Sequence, residues 1–254
     1  MYREYPLKFL VLVFILVSCS PQTPIPSSSP SPTLTATQRK VTVIEYPPLD
    51  WSVNGRILSQ FMCEEDIQES CPDLFALGCE DIKGPRFYLG GLDPPYPVME
   101  CIHENGEPPS SEYFKQPAGL DTRYRSFAIY QDGKFRLIIK KSEFKEIFAP
   151  VESKEEAISY AMAMTSLQAR FDINPKDQNE YLVDLIEETH AEEVPEGYLV
   201  YLFDWSQKMG CDIHPFYAVK VLVTREGDLQ ELEREEIYRS YSCFDYGMLS
   251  LDDH

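Results

Sequence analysis

A chain of 254 residues with 43% hydrophobic residues is long enough to bury a core of its own, which excludes a wholly disordered protein. Its 42 acidic residues against 23 basic ones give a formal charge of −19 and exclude the basic footprint that nucleic acid requires. The same acidity repels anionic lipid headgroups, so any attachment to a membrane must rest on a hydrophobic device.

The first residues read as the zones of an export signal: Arg3 and Lys8, an apolar run from Phe9 to Val17, then small residues around Cys19. Nine apolar residues are too few to span a bilayer, which takes about 20. An all-apolar helix followed at once by a Pro/Ser/Thr tract would also have nothing to pack against. Leu16-Val17-Ser18-Cys19 resembles the lipobox of bacterial lipoproteins, an aliphatic residue and two small ones before a cysteine. The resemblance implies that residues 1–18 are a cleaved signal peptide. It also implies that the Cys19 thiol carries a diacylglyceryl group and that the new amino end is acylated. Two or more acyl chains suffice for stable anchoring. The protein is then expected to be exported and held on the extracytoplasmic side of a membrane. Ser20 stands where some such lipoproteins carry the aspartate that retains them in an inner membrane, and the choice between outer face and outer membrane depends on the envelope.

Residues 19–40 follow as a tether. From Ser20 to Lys40 there are five prolines, five serines and four threonines in 21 positions, a composition that cannot bury enough apolar surface to fold. Such a segment would reach about 65 Å as polyproline II and about 25 Å as a flexible coil.

Seven cysteines is an odd number for an exported protein. Assigning Cys19 to lipid leaves Cys63, Cys71, Cys79, Cys101, Cys211 and Cys243, an even set in a compartment where disulfides persist. From 41 to 150 the chain is turn-rich, with "YPPLDW", "KGP", "GGLDPPYP" and "GEPPS" breaking it into short elements that need staples. Cys63, Cys71, Cys79 and Cys101 fall there, and their three connectivities are open. Zinc is a poor alternative, because these cysteines form no C-x-x-C pair. Between the breaks "ILSQFMCEEDIQESC" suits a short helix and "PVMECIHE" a strand. "SFAIY", "QDGK" and "FRLIIK" then read as a hairpin turning at Asp132-Gly133.

Residues 151–254 begin with the strongest helix signal. Ser153 and Glu156 have capping-box spacing, and Ala157, Tyr160, Ala161, Met164 and Leu167 form an apolar stripe. Strand candidates follow at 181–190, which also suits a helix, at "GYLVYLFDW" from 197 to 205, and in a hairpin from 216 to 241 around "REGD". In an antiparallel hairpin facing residue numbers have a constant sum. A turn centred at Glu226-Gly227 or Gly227-Asp228 therefore puts Cys211 within one position of Cys243, close enough for a disulfide unless a loop at Pro215 carries Cys211 aside.

A helix followed by an antiparallel meander is an α+β arrangement with the helix covering one sheet face, and residues 41–254 could be one continuous domain. Over about residues 150–241 this element order resembles PepSY-type or cystatin-type domains. The resemblance implies an inhibitor or modulator of an extracytoplasmic peptidase.

No G-x-S-x-G, H-E-x-x-H, P-loop or G-x-G-x-x-G motif occurs. His103, His190, His214 and His254 are scattered along the chain, and Glu231, Glu233 and Glu235 suit a solvated strand face better than a calcium loop. Trp51 and Trp205, among 16 Tyr and 14 Phe, suit core packing better than a sugar platform. The expectation is a non-catalytic lipoprotein without a cofactor or metal, bound to the membrane through its anchor and to a protein, peptide or glycan partner. A hydrolase without a recognisable motif is the further alternative.

Overall fold

The computed structural model describes residues 39–47, 67–83, 87–103, 110–115, 124–205 and 210–244. The signal segment, Cys19, the tether through residue 38, Trp51, Cys63 and His254 lie outside them. The described residues form an α+β structure whose larger sheets are antiparallel.

The turn-rich part builds the first sheet. Strands β1 (Thr42–Ile44), β2 (Asp81–Lys83), β3 (Val98–His103), β4 (Phe114–Lys115), β5 (Tyr124–Gln131) and β6 (Lys134–Ile138) come from this half. The sheet runs β2-β3-β5-β4, with β6 pairing β5 as well. The β5–β6 hairpin turns where the sequence places it. Asp132 and Gly133 take φ values of 53° and 81°, the left-handed pair that a two-residue turn requires. "VMECIH" is buried along its whole length, which identifies β3 as a central strand. Two short helices, α1 (Ile67–Ser70) and α2 (Pro72–Ala76), pack Ile67, Cys71 and Leu74 with Met99, Cys101 and Ala128 of this sheet.

Two further helices follow. The first, α3 (Lys141–Phe148), is an eight-residue helix between β6 and Pro150 and lies outside the elements expected from the sequence. Phe144 and Phe148, one turn apart, are both fully buried and form its inner face. Glu143 caps the helix start, its Oε2 accepting from the backbone N–H of Ile139 at 3.0 Å and of Lys140 at 3.1 Å. Helix α4 (Lys154–Met164) starts at the expected cap, where the Ser153 hydroxyl accepts from Glu156 N–H at 3.1 Å. The apolar stripe expected on α4 is too narrow a description, because every residue from Glu156 to Met164 is buried. The reason is packing on more than one side. Phe127, Ile129 and Ile138 of the first sheet share one apolar cluster with Tyr160, Ala161 and Met164, and with Val200, Leu202, Val219 and Val221 of a second sheet.

That second sheet contains β7 (Glu180–Tyr181), β9 (His190–Val194), β10 (Gly197–Trp205), β11 (Gly210–Thr224) and β12 (Leu229–Phe244), in the order β7-β12-β11-β10-β9. Strand β8 (Leu185–Glu187) instead pairs in parallel with β1. The doubtful stretch 181–190 is therefore short strands rather than helix.

The β11–β12 hairpin is longer than expected and carries two bulges. Near the turn Val223 faces Leu229, and a straight ladder from there would set Cys211 opposite Tyr241. An extra residue in β12 at Leu232 and another at Ile237 each advance the register by one, so that Cys211 faces Cys243. Pro215 does not carry Cys211 aside; it stays in β11, opposite Arg239.

Candidate functional site

A cleft of about 540 Å³ opens between α3, the end of α4 and the β11–β12 hairpin. Lys141, Ser142 and Lys145 of α3 form one side, and Met164 to Leu167 at the end of α4 form the floor. The hairpin supplies Val221, Gly227 to Leu229, Glu231 and Arg234, while Ser111 and Glu112 close the rim. The volume falls within the ~300–1,000 Å³ typical of small-ligand sites.

Each wall is fixed by a local bond. Lys141 N–H donates to Glu112 C=O at 2.8 Å, tying α3 to the rim. Buried Arg125 of β5 donates to the carbonyls of Met162 at 2.7 Å, Ala163 at 3.1 Å and Thr165 at 2.7 Å, satisfying the orphan acceptors at the end of α4. Beyond that end the Thr165 hydroxyl donates to Ala161 C=O at 2.7 Å and accepts from Leu167 N–H at 3.1 Å, turning the chain along the floor. On the opposite side Tyr160 donates to Gly227 C=O at 3.0 Å and holds the hairpin tip on α4.

The bulge at Leu232 decides which charges enter the cleft. Glu231, Glu233 and Glu235 do not share one face, as period two alone would have it. Glu231 faces Val221, whereas Glu233 faces Lys220 and Glu235 faces Ala218 on the other side of the sheet. Glu231 therefore lines the cleft together with Arg234.

Most of the cleft's charges neutralise one another. Lys145 pairs with Asp228. Arg234 grips Glu231 with contacts of 2.8 and 3.0 Å and also reaches Asp204. These hydrogen bonds hold the Glu231 carboxyl below its usual range and the Arg234 guanidinium above its own. Lys141 differs: among the described residues no carboxylate lies within ion-pair distance of its ammonium. Burial holds that ammonium below the usual lysine range; Glu112 opposes the shift, and Lys115 and Arg125 reinforce it.

A second constellation lies on the far face of the second sheet. The His190 ring is sandwiched between Tyr46 at 3.6 Å and Tyr201 at 4.0 Å. Tyr46 donates through its hydroxyl to Glu187 at 3.0 Å and through its N–H to Glu188 at 3.3 Å. Burial and the Glu187 acceptor push the Tyr46 hydroxyl up to about 12. With the β1–β8 pairing and an Arg39 bond to Leu182 C=O at 2.8 Å, residues 39–46 form a strap across the domain.

The cysteines expected to form disulfides behave unevenly in what is described. Cys79 and Cys101 are bonded to each other, with Cα atoms 5.2 Å apart, and both are fully buried beside α2. Cys71 and Cys211 are each disulfide-bonded. Three histidines are buried in separate places. The His103 Nε2 lies 2.7 Å from the hydroxyl of fully buried Ser126, so this Ser–His pair is closed to substrate. His214 lies 3.2 Å from Ser242 C=O in the hairpin. Trp205 stacks on Phe216 at 5.8 Å, a packing contact.

Among the described residues no group of three or more His, Cys, Asp or Glu is arranged to hold a metal, and no helix is long and apolar enough to cross a membrane. Sequence reasoning missed Lys141, Lys145 and Arg234. The signal for the first two was the "KSEFKEIF" segment, whose Phe spacing marks a helix face. Nothing local marks Arg234.

The fold and cleft define a disulfide-containing α+β protein. Comparison with family models, with curated proteins and with solved structures gives no match for this chain.

Proposed function

We propose that this protein is a membrane-anchored extracytoplasmic lipoprotein whose ectodomain is a non-catalytic binding module. In this reading Cys19 carries the lipid, residues 19–40 are the tether, with Arg39 near its end already bonded to Leu182 C=O, and the cleft beside α3 is where the ectodomain takes its ligand. The observation that carries the binding role is the cleft itself, an opening of about 540 Å³ with both charged and apolar walls. Its composition favours binding over turnover. Among the described residues no histidine lines it, and of its carboxylates Asp228 and Glu231 are engaged by Lys145 and Arg234 while Glu112 sits exposed at the rim, so none is held in a buried, poised position for a general base.

The cysteines support the export half of this reading. With Cys79 bonded to Cys101, and Cys211 disulfide-bonded and opposite Cys243 in register, the pairing that completes the set is Cys211–Cys243 and Cys63–Cys71. The Cys63–Cys71 pair follows once Cys19 is given to lipid, which is the role the lipobox gives it.

Three measurements test the proposal. Mass spectrometry of the mature protein should find an acylated N-terminus at Cys19, and an unmodified start elsewhere would refute the anchor. For the cleft, Leu229→Trp should fill the space and abolish saturable ligand binding without unfolding the protein. Saturable turnover of a peptide, glycan or ester by the wild-type protein would refute the non-catalytic assignment.

One observation favours a second reading, an inhibitor of an extracytoplasmic peptidase. Beyond Phe216 and Arg239 the β11–β12 hairpin pairs only with itself among the described residues, and there Ile213 and Tyr241 face each other while 47% and 67% exposed. A projecting hairpin with an apolar pair is a shape that can dock into a protease groove. That reading requires stoichiometric loss of protease activity, relieved by Tyr241→Ser.

A further inference from the structure

We infer that the cleft recognises a single carboxylate attached to a small apolar group, with the Lys141 ammonium as its counter-ion. This inference rests on the cleft being a ligand site and adds the chemistry of what it takes. Among the described residues that line the cleft, Lys141 is the cation outside any ion pair, with Glu112 at the rim acting on it only at longer range. Lys145 is held by Asp228, and Arg234 by Glu231 and Asp204, whereas no carboxylate among the described residues lies within ion-pair distance of Lys141. A partly desolvated ammonium without a partner gains the most from an anion delivered to it, because the anion replaces lost water with a charge-assisted hydrogen bond.

The position of Lys141 strengthens this. It opens α3, and Ser142, which also lines the cleft, belongs to the same first turn. The N-terminal end of a helix is the positive end of its dipole; here Lys141 N–H is taken by Glu112 C=O and the N–H groups of Ile139 and Lys140 by the Glu143 carboxylate, so what this turn offers the cleft is the side chains of Lys141 and Ser142. Ammonium, hydroxyl and helix end thus lie within one stretch of chain.

The rest of the cleft limits the anion to one charge and gives it an apolar neighbour. A second negative charge would meet Glu112 at the rim and the field of a chain with formal charge −19, so phosphate dianions and dicarboxylates are disfavoured. Leu229 and Leu167 line the same cleft and offer apolar contact to a short aliphatic group. Such a carboxylate occurs on a free short-chain acid and on the C-terminal residue of a peptide.

The test titrates the full-length protein in detergent by calorimetry with four probes. These are isovalerate, isovaleramide, and an acetylated tripeptide ending in leucine with its terminus either free or amidated. The inference expects at least one carboxylate to bind at one site per chain, and its amide to bind at least tenfold more weakly. Which carboxylate binds tells the free acid from the peptide terminus. Lys141→Met should weaken the acid at least tenfold at unchanged melting temperature, and Lys141→Arg should retain most of the affinity. Equal binding of acid and amide, or of acid to wild type and Lys141→Met, would overturn the inference. If neutral probes alone bind, and Leu229→Trp abolishes that binding, the carboxylate inference fails while the cleft remains a binding site. If no probe binds, the carboxylate inference fails. If, in addition, Leu229→Trp leaves binding of every ligand that the protein does take unaltered, the cleft reading fails with it.

Discussion

Arg125 donates to Glu100 Oε1 at 2.8 Å with both side chains completely buried, and its other terminal nitrogen gathers three carbonyls from the end of α4. The pair therefore joins β3, β5 and the floor of the cleft in one network. Removing one partner of a buried ion pair leaves an uncompensated charge and typically costs about 3–5 kcal/mol. Arg125→Met should lower unfolding stability by about that amount in urea titration. The double variant Arg125→Met, Glu100→Leu should recover a substantial part of it, because no buried charge is then left alone.

Gly227 sits at the hairpin tip with φ at +80°, and a Cβ there would lie 2.7 Å from the Tyr160 hydroxyl. Gly227→Ala combines a left-handed backbone cost of roughly 1–2 kcal/mol with displacement of that ring. Tyr160→Phe loses only the bond to Gly227 C=O, about 1 kcal/mol. Denaturation curves should rank the two variants in that order; a harmless Gly227→Ala would refute the close approach.

The Cys79–Cys101 bond closes a loop with a sequence separation of 22, which loop entropy makes worth about 3 kcal/mol. Cys79→Ala, Cys101→Ala should lose roughly that stability. Because α1 and α2 pack on this bond, hydrogen exchange should rise first in residues 67–76.

The carboxyl of Glu156 is almost wholly buried, and its Oε1 has no hydrogen-bond partner among the described residues. Burial raises its proton affinity above the usual carboxylate range, against the opposing bonds from the Glu152 and Ser153 backbone. The native state thus holds this proton at pH values where the unfolded chain has released it. Its stabilising contribution is complete below the unfolded carboxylate range and is lost as pH rises through the native one. Glu156→Gln, which keeps an acceptor for Glu152 N–H, should therefore gain stability relative to wild type as pH rises from 4 to 7. A difference that stays constant across that window would refute the assignment.

The strap at residues 39–46 depends on the Tyr46 ring against His190 and its bonds to Glu187 and Glu188. Tyr46→Ala should speed amide exchange in Thr42–Ile44 and Leu185–Glu187 by at least tenfold, with little change in the β5–β6 hairpin. Uniform exchange across both regions would show that the strap is not a separate unit.

Several elements were legible because their signals are local. Asp132-Gly133 can take the left-handed turn at low cost, Ser153 and Glu156 carry a cap in three residues, and "GYLVYLFDW" reads as β10 to the residue. Helix α3 escaped because eight residues leave room for only two turns of pattern. The depth of α4 escaped because one helix sequence cannot say how many layers will surround it.

Sequence by itself determined the turn chemistry, the helix cap and the α+β order of elements, all of which rest on neighbours along the chain. The facing of Cys211 and Cys243 stands between the two kinds of information, since counting brought them within one position and two bulges in β12 completed the match. Only the tertiary structure decided the Cys79–Cys101 pair, the burial of Arg125 against Glu100, and the cleft in which Lys141 has no carboxylate within ion-pair distance among the described residues. Those features depend on contacts between residues far apart in the chain, and a register shift of one residue is enough to move a side chain such as Glu231 from one sheet face to the other.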